Sequence, residues 1–239
     1  RVRAMISNLS TNPFINLFKV TVKDDLNGSI CVFPQSKFIF GGKLHLFGYL
    51  DALKIDGNFY VRNLRIPELM TTVRDINAHL GTRDVRVNIR DVISNGSDFN
   101  INILSNWNLL SNSRLADVRV NSRLIDVDKL MQVSEAAMKA LPSANTASSS
   151  PADIPVEILR GSINLRRIVT GNIVADNTTG RISLFKNIFY LNDLRTLTMK
   201  GNVIGDVSMN LVTTELNAKL SGRNFDVEKI LLDVMDMKD

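Results

Sequence analysis

The chain has 239 residues, 44% of them hydrophobic and 22% charged, and its mean hydropathy is close to zero. These values are typical of a globular protein and exclude a disordered chain, a fibre and, because Cys31 is the only cysteine, a disulfide scaffold. The net charge of +5 arises from dispersed Lys and Arg residues without a basic run or zinc-ligand spacing, so we expect no nucleic-acid partner. Because the chain begins with Arg1 rather than Met, we expect a processed product or a piece of a larger protein.

Residues 1–141 are predicted to form a first β-rich unit. Hydrophobic residues alternate with polar ones, which predicts half-buried, mostly antiparallel strands. The clearest alternating sets are Val85, Val87 and Ile89, then Phe99, Ile101 and Ile103, then Val118 and Val120. Glycine-containing turns are predicted at residues 24–28, 56–58 and 95–97. Their spacing favours a meander of hairpins over strand–helix–strand units.

This first unit is predicted to end in an amphipathic helix from Asp126 to Leu141. Asp126 is a suitable N-cap, and Asp128 lies in the first turn, where the helix dipole favours an acidic residue. Pro142 ends the helix. The small, polar and proline-bounded residues 142–155 predict a flexible linker.

Residues 156–239 are predicted to form a second β-rich unit, with turns at residues 170–172, 179–181 and 200–202 and an amphipathic helix from Asp226 onward. One face of its predicted strands is aliphatic and is the candidate lining of a lipid-binding groove. The candidate residues are Ile163, Leu165, Ile173, Ile182, Leu184, Leu197, Met199, Val207, Met209, Leu211, Leu216 and Leu220. A β-bulge in any strand would change which of its residues share that face.

The end of each unit repeats the other at an offset of 100 residues. Arg123, Asp126, Val127 and Lys129 match Arg223, Asp226, Val227 and Lys229, and Val118 and Val120 fall opposite Ala218 and Leu220. The match from strand to helix has no gap. It predicts a duplicated unit of several strands followed by one helix.

The sequence offers little that could carry catalysis. His45 lies in an alternating strand, and neither His45 nor His79 has a second ligand at metal-binding spacing. Cys31 lies between two aliphatic residues and is predicted to be a small core residue. Because no nucleophile elbow, phosphate-binding loop or Cys-x-x-Cys pair occurs, we expect no catalytic residue, no metal, no cofactor and no enzyme activity.

An aliphatic face of this extent needs a cover, and each unit has only one short helix to provide it. The sheet could fold on itself and pack dry, as a sandwich or barrel. Alternatively, it could stay open and hold acyl chains. Side chains of Ile, Leu, Val and Met suit mobile hydrocarbon, which needs no polar anchor, and they equally suit an ordinary core.

Several motifs resemble the AsmA-like family of bacterial envelope proteins. They are Gly-Ser-Ile-Asn-Leu from Gly161, Lys-Gly-Asn-Val from Lys200, Gly-Arg-Asn-Phe-Asp-Val-Glu-Lys from Gly222 and, more loosely, residues 63–68 and 124–129. The resemblance implies a long curved antiparallel β-sheet that forms a groove, built from repeats of a strand meander plus a helix. It also implies that the chain is a segment of a bridge-like protein, anchored in the inner membrane of a diderm bacterium, whose periplasmic groove carries phospholipids between the inner and outer membranes.

Two other functions stay open on the sequence alone. The chain could be a scaffold for outer-membrane assembly, binding an assembly protein through exposed sheet edges by strand addition and without lipid transport. It could also be a structural spacer with no ligand.

Overall fold

A computed structural model of the chain describes residues 14–30, 33–49, 52–140, 156–198, 201–213 and 215–224. These residues form fourteen strands of one open sheet, two short α-helices and one 3₁₀ turn. In chain order the elements are β1 (Phe14–Ile30), β2 (Phe33–Tyr49), β3 (Ala52–Ile66), the 3₁₀ turn Pro67–Leu69, β4 (Thr71–Leu80), β5 (Asp84–Ser94), β6 (Ser97–Asn106), α1 (Trp107–Ser111), β7 (Arg114–Leu115), β8 (Asp117–Ser122), β9 (Ile125–Asp126), α2 (Val127–Ala140), β10 (Glu157–Thr170), β11 (Ile173–Phe185), β12 (Ile188–Thr198), β13 (Gly201–Asn210) and β14 (Leu216–Arg223). The predicted fold class, mainly β with a few short helices and a long curved sheet, is confirmed.

The order of strands in the sheet follows the chain, and the main strands are antiparallel to their neighbours except at one parallel pair. Strands β1 to β6 are successive antiparallel neighbours, β8 follows β6, and β10 to β14 continue the sheet. β10 lies parallel to β8, with Gly161 opposite Val118 and Leu165 opposite Ser122. The short strands β7 and β9 also pair with β10.

A parallel pair needs a crossover connection, and the connection between β8 and β10 contains α2. The prediction of a meander without a strand–helix–strand unit is therefore wrong at this joint. Strands of both predicted units belong to the same sheet. The linker predicted at residues 142–155 lies outside the described residues.

The first predicted helix is confirmed as α2. The backbone N–H of Lys129 donates to Asp126 Oδ1 at 3.1 Å, which is the predicted N-cap. Asp128 accepts hydrogen bonds from the backbone N–H of Gly171 at 2.7 Å and from Thr170 Oγ1 at 3.1 Å. Because Thr170 is the last residue of β10 and Gly171 directly follows it, the first turn of α2 is fixed against the end of that strand. The helix predicted from Asp226 lies outside the described residues.

Of the six predicted turns, two are confirmed, three are wrong and one lies partly outside the described residues. Asn95–Gly96 connects β5 to β6, and Gly171–Asn172 connects β10 to β11, as predicted. The turns predicted at residues 24–28, 56–58 and 179–181 are wrong, since these residues lie inside β1, β3 and β11. The turn predicted at residues 200–202 is not tested as a whole, because residues 199 and 200 lie outside the described residues, while Gly201 and Asn202 begin β13.

Two of the mispredicted glycines have a packing role in their strands. A Cβ atom at Gly57 would lie 2.9 Å from Leu44 Cδ1, and one at Gly180 would lie 2.5 Å from Leu191 Cδ1. Each glycine leaves room for an aliphatic side chain that leans across from the next strand. Glycine in these strands therefore indicates close packing between neighbouring strands and not a turn.

The aliphatic inner face as candidate functional site

The register of the strands separates the side chains into two faces, because directly opposed residues of paired strands point to the same side. We call the inner face the side of the sheet that carries Val85, Val118, Leu165, Ile182 and Leu194. One continuous row of opposed residues on this face runs from β3 to β14. Its members are Phe59, Ala78, Val87, Ile103, Val118, Gly161, Ile182, Leu191, Val207 and Ala218.

The inner face is the more buried of the two. Among the described residues, the buried apolar side chains are Val73, Val85, Val118, Leu165, Ile182, Leu184 and Leu194, and the register places every one of them on the inner face. Most other apolar residues of this face are half-buried. Greater burial of one face is what a single-layer sheet shows when it curves towards that face, so we call the inner face the trough. In the described part of the chain, all strands belong to one sheet, and no second sheet packs over this face.

Polar side chains at paired inner-face positions of β2 to β14 are hydroxyls, and they are Thr71, Ser94, Ser97, Ser105, Ser122, Thr178, Thr196, Thr198 and Thr170. Several of them bond to one another or to nearby groups. Thr71 Oγ1 lies 2.8 Å from Ser94 Oγ, and Thr178 Oγ1 lies 2.7 Å from Thr196 Oγ1. These partners satisfy the hydroxyl groups locally, so the trough presents an uncharged surface.

Charged residues of the paired strands lie on the opposite, outer face. Arg86, for example, is opposite His79 on β4 and Leu104 on β6, and it pairs with Asp84 at 2.6 Å. Arg167 pairs with Asp176 at 3.0 Å. Within the paired strands that the structure describes, charged side chains are thus carried on the outer face, away from the trough.

The structure brings most of the candidate groove residues together. Nine of them lie on the inner face by register: Ile163, Leu165, Ile173, Ile182, Leu184, Val207, Met209, Leu216 and Leu220. The inner-face side chains near the β14 edge are the most accessible, with Leu216 and Leu220 exposed over 62% and 53% of their surface. Met199 lies outside the described residues.

Two candidate residues do not lie on the inner face. Leu197 is on the outer face, where it is opposite Asp176 and Asn202. Leu211 lies in the turn after β13, because Asn210 ends that strand by accepting hydrogen bonds from the backbone N–H groups of Val212 and Thr213. The prediction that these two residues share the lining face is therefore wrong.

A β-bulge explains the error at Leu197. Asp193 has a φ of 52°, and the residues on either side of it are out of step with both neighbouring strands. This extra residue places Leu191 and Leu194 on the same face although they are three positions apart. Leu194, which the alternation missed, is consequently the buried member of β12.

Sequence reasoning also missed much of the trough. Phe189 and Leu191 line it from β12, opposite Leu184 and Ile182. Strands β2 to β8, in the first half of the chain, also place apolar side chains on the inner face. No residue of that half was a candidate for the lining. The alternation at Val85, Val87 and Ile89 was the signal that could have identified them.

The histidines and acidic side chains of the described residues do not gather into a metal site. No group of three or more His, Cys, Asp or Glu side chains among them could hold a metal ion. His79 lies on the outer face, with Nδ1 at 3.0 Å from Asn58 Oδ1, and His45 stacks on Phe47. In the same part of the chain, no helix has both the length and the apolar character needed to cross a bilayer.

Comparison of the chain with protein-family models, with curated proteins and with solved structures gave no significant match.

Proposed function

We propose that the inner face binds the acyl chains of phospholipids and that the chain is a non-enzymatic segment of a protein that conducts lipids. The observation that carries this proposal is the uncharged inner face, which continues through the strands of both units and across the parallel joint between β8 and β10. Hydrocarbon requires apolar, non-directional contact, and a face of this kind provides such contact along its whole width.

Three features favour acyl chains over a small polar ligand. The polar groups of the inner face are hydroxyls with partners in the protein, so the face offers few orienting contacts. Its apolar side chains are mostly half-buried and not fully packed against protein atoms. A site for a compact polar ligand would instead combine an apolar pocket with a few convergent polar groups.

The resemblance to AsmA-like proteins extends the proposal to a cellular setting. In that setting, the parent is anchored in the inner membrane of a diderm bacterium, and the trough is a periplasmic section of a bridge that carries phospholipids towards the outer membrane. The chain would supply one section of this bridge.

The test compares two substitutions in β13 that introduce the same charge on opposite faces. Val207→Asp places a carboxylate in the trough, whereas Ile204→Asp places it on the outer face, where Ile204 is already 51% exposed. The probe is a phospholipid with a fluorescent acyl chain, titrated into each purified protein. Mass spectrometry of lipid extracted from gently purified samples gives a second readout.

Val207→Asp is expected to weaken binding by roughly tenfold or more, because desolvating a carboxylate against hydrocarbon costs more than about 1.4 kcal/mol. Ile204→Asp is the matched control and is expected to bind like the unmodified chain. Equal binding by both variants, with unchanged circular dichroism, would contradict the proposal. If the variants also kept an outer-membrane assembly partner, that result would favour the scaffold alternative.

A further inference from the structure

Within the described residues, β14 is the last strand of the sheet, and one of its edges has no neighbouring strand. The position of β14 in the fold matches that of β8. The two strands correspond at the 100-residue offset, and each is antiparallel to the strand before it, β6 for β8 and β13 for β14. Matched residues also share a face. Val118 and Val120 point inward, as do Ala218 and Leu220.

The same correspondence holds for the residues between them. Arg119 and Asn121 point to the outer face in β8, and Lys219 and Ser221 do so in β14. The repeat found in the sequence is therefore also a repeat of strand position and side-chain direction. The two strands differ at the edge that faces away from the preceding strand of the sheet. At this edge β8 pairs with β10, whereas β14 has no strand beside it in the described part of the chain.

We infer that the free edge of β14 binds a β-strand in parallel, in the register that β10 adopts on β8, and that this strand comes from a further strand–helix unit of the same design. In that register, positions equivalent to Gly161, Ile163 and Leu165 lie opposite Ala218, Leu220 and Gly222. The inference concerns pairing of the backbone and does not depend on what fills the trough.

The exposure of β14 supports this assignment. Each of its residues is exposed, and Leu216 and Leu220 present apolar surface beside an edge to which no strand of the described residues pairs. Edge strands that end a sheet are normally protected by inward charges, proline or a covering element. The charged residues of β14, Lys219 and Arg223, lie on its outer face and leave the inner side of the edge apolar.

The joint between β8 and β10 also specifies which strand fits. A Cβ atom at Gly161 would collide with the backbone carbonyl of Val118 and would lie 2.8 Å from Ile182 Cγ1. The incoming strand therefore needs glycine opposite Ala218, followed by apolar residues at the second and fourth positions. This is the Gly-Ser-Ile-Asn-Leu pattern that begins at Gly161.

The first experiment uses a fluorescent peptide with the sequence of residues 156–170 and the full chain. We expect saturable binding, with amide chemical-shift changes confined to β13, β14 and the residues beside them. A peptide carrying Gly161→Val is the matched control and is expected to lose binding, because its side chain would meet the carbonyl of Ala218. Equal binding of both peptides would overturn the inference.

Disulfide trapping then tests direction and register in a Cys31→Ser background. The parallel register predicts trapping of Leu220→Cys by a peptide with Ile163→Cys, and of Gly222→Cys by a peptide with Leu165→Cys. An antiparallel arrangement centred on Leu220 would instead trap Ala218→Cys with the Leu165→Cys peptide. Preference for that pair would overturn the inference, as would self-association through β14 without peptide binding.

A second variant supplies the strand in the same molecule and removes any dependence on peptide solubility. A copy of residues 140–170 is attached after Asp239, which continues the 100-residue offset. We expect Leu220→Cys to form a disulfide with Ile163→Cys of the appended copy and the β14 amides to exchange more slowly with solvent. Unchanged exchange and absence of this disulfide would overturn the inference.

Discussion

Leu194 and Leu197 lie on opposite faces of β12, with 9% and 42% of their surfaces exposed. The bulge at Asp193 determines which of the two enters the trough. Its backbone N–H donates to Asp206 Oδ1 on β13 at 3.0 Å, so the extra residue is held by the neighbouring strand. Which of these two residues of β12 faces the trough thus depends on Asp193, a single residue with positive φ.

Replacing Asp193 with valine is expected to destabilise the protein by about 1–2 kcal/mol, because a β-branched residue disfavours the left-handed conformation. Asp193→Asn is expected to be tolerated far better, since asparagine adopts this conformation readily. Urea unfolding followed by the fluorescence of the single tryptophan, Trp107, measures both. Comparable losses for the two variants would contradict this role for the bulge.

Asp98 is expected to stabilise the joint between β6 and β8. Its carboxylate accepts hydrogen bonds from Arg123 Nε at 2.5 Å, from the backbone N–H groups of Arg123 and Leu124 at 2.7 and 2.8 Å, and from Ser122 Oγ at 3.1 Å. Asp98→Asn is therefore expected to cost about 2 kcal/mol at neutral pH, as hydrogen bonds to a charged group are lost. Asp56→Asn, on the exposed outer face, is the control and is expected to change stability little.

The contribution of Asp98 should also depend on pH. Burial by itself would raise the pKa of this carboxyl, but the hydrogen bonds from Arg123, Leu124 and Ser122 hold its pKa below the ordinary value of 3.8. Because the folded-state pKa is depressed, the stabilisation is fully present above the unfolded pKa and is lost as the pH falls through the folded pKa. The difference in unfolding free energy between the wild type and Asp98→Asn should thus shrink only below about pH 4. If the difference in unfolding free energy were the same at all pH values, the Asp98 carboxylate would not have this role.

Gly161→Ala is expected to destabilise the parallel joint by about 1–3 kcal/mol, because the added methyl group would overlap the Val118 carbonyl and Ile182. Ser162→Ala, at the next position on the exposed outer face, is the control and should stay within about 0.5 kcal/mol of the wild type. Chemical denaturation measures both variants. If Gly161→Ala were as stable as Ser162→Ala, the close approach of β8 and β10 would be in doubt.

The hydroxyl pair of Thr178 and Thr196 is suited to a double-mutant cycle. Thr196 Oγ1 also lies 3.3 Å from the carbonyl oxygen of Asp176. Each single change to valine is expected to cost about 1 kcal/mol, because it leaves the other hydroxyl with fewer partners on an apolar face. The double variant is expected to cost less than the sum of the single variants. Strict additivity would indicate that the two hydroxyls do not interact.

Much of the fold was predictable because the inner face is chemically uniform. Alternation identified the strands containing Val85, Phe99 and Ile182, and the position of an acid before a helical repeat identified the N-cap at Asp126. The errors have local causes that alternation does not encode. Gly57 and Gly180 permit close packing inside strands, Asp193 inserts a bulge, and the parallel pairing of β10 depends on contacts between residues far apart in the sequence.

Each strand of this sheet touches mainly the strands beside it, so the molecule resembles a linear array more than a body with one central core. In such an array, opening spreads from neighbour to neighbour, and resistance to opening rises with distance from an unpaired end. Amide protons are accordingly expected to exchange fastest in β14 and progressively more slowly through β13, β12 and β11. A strand that paired with the edge of β14 would slow amide exchange in all of these strands. Its binding could therefore be detected several strands away.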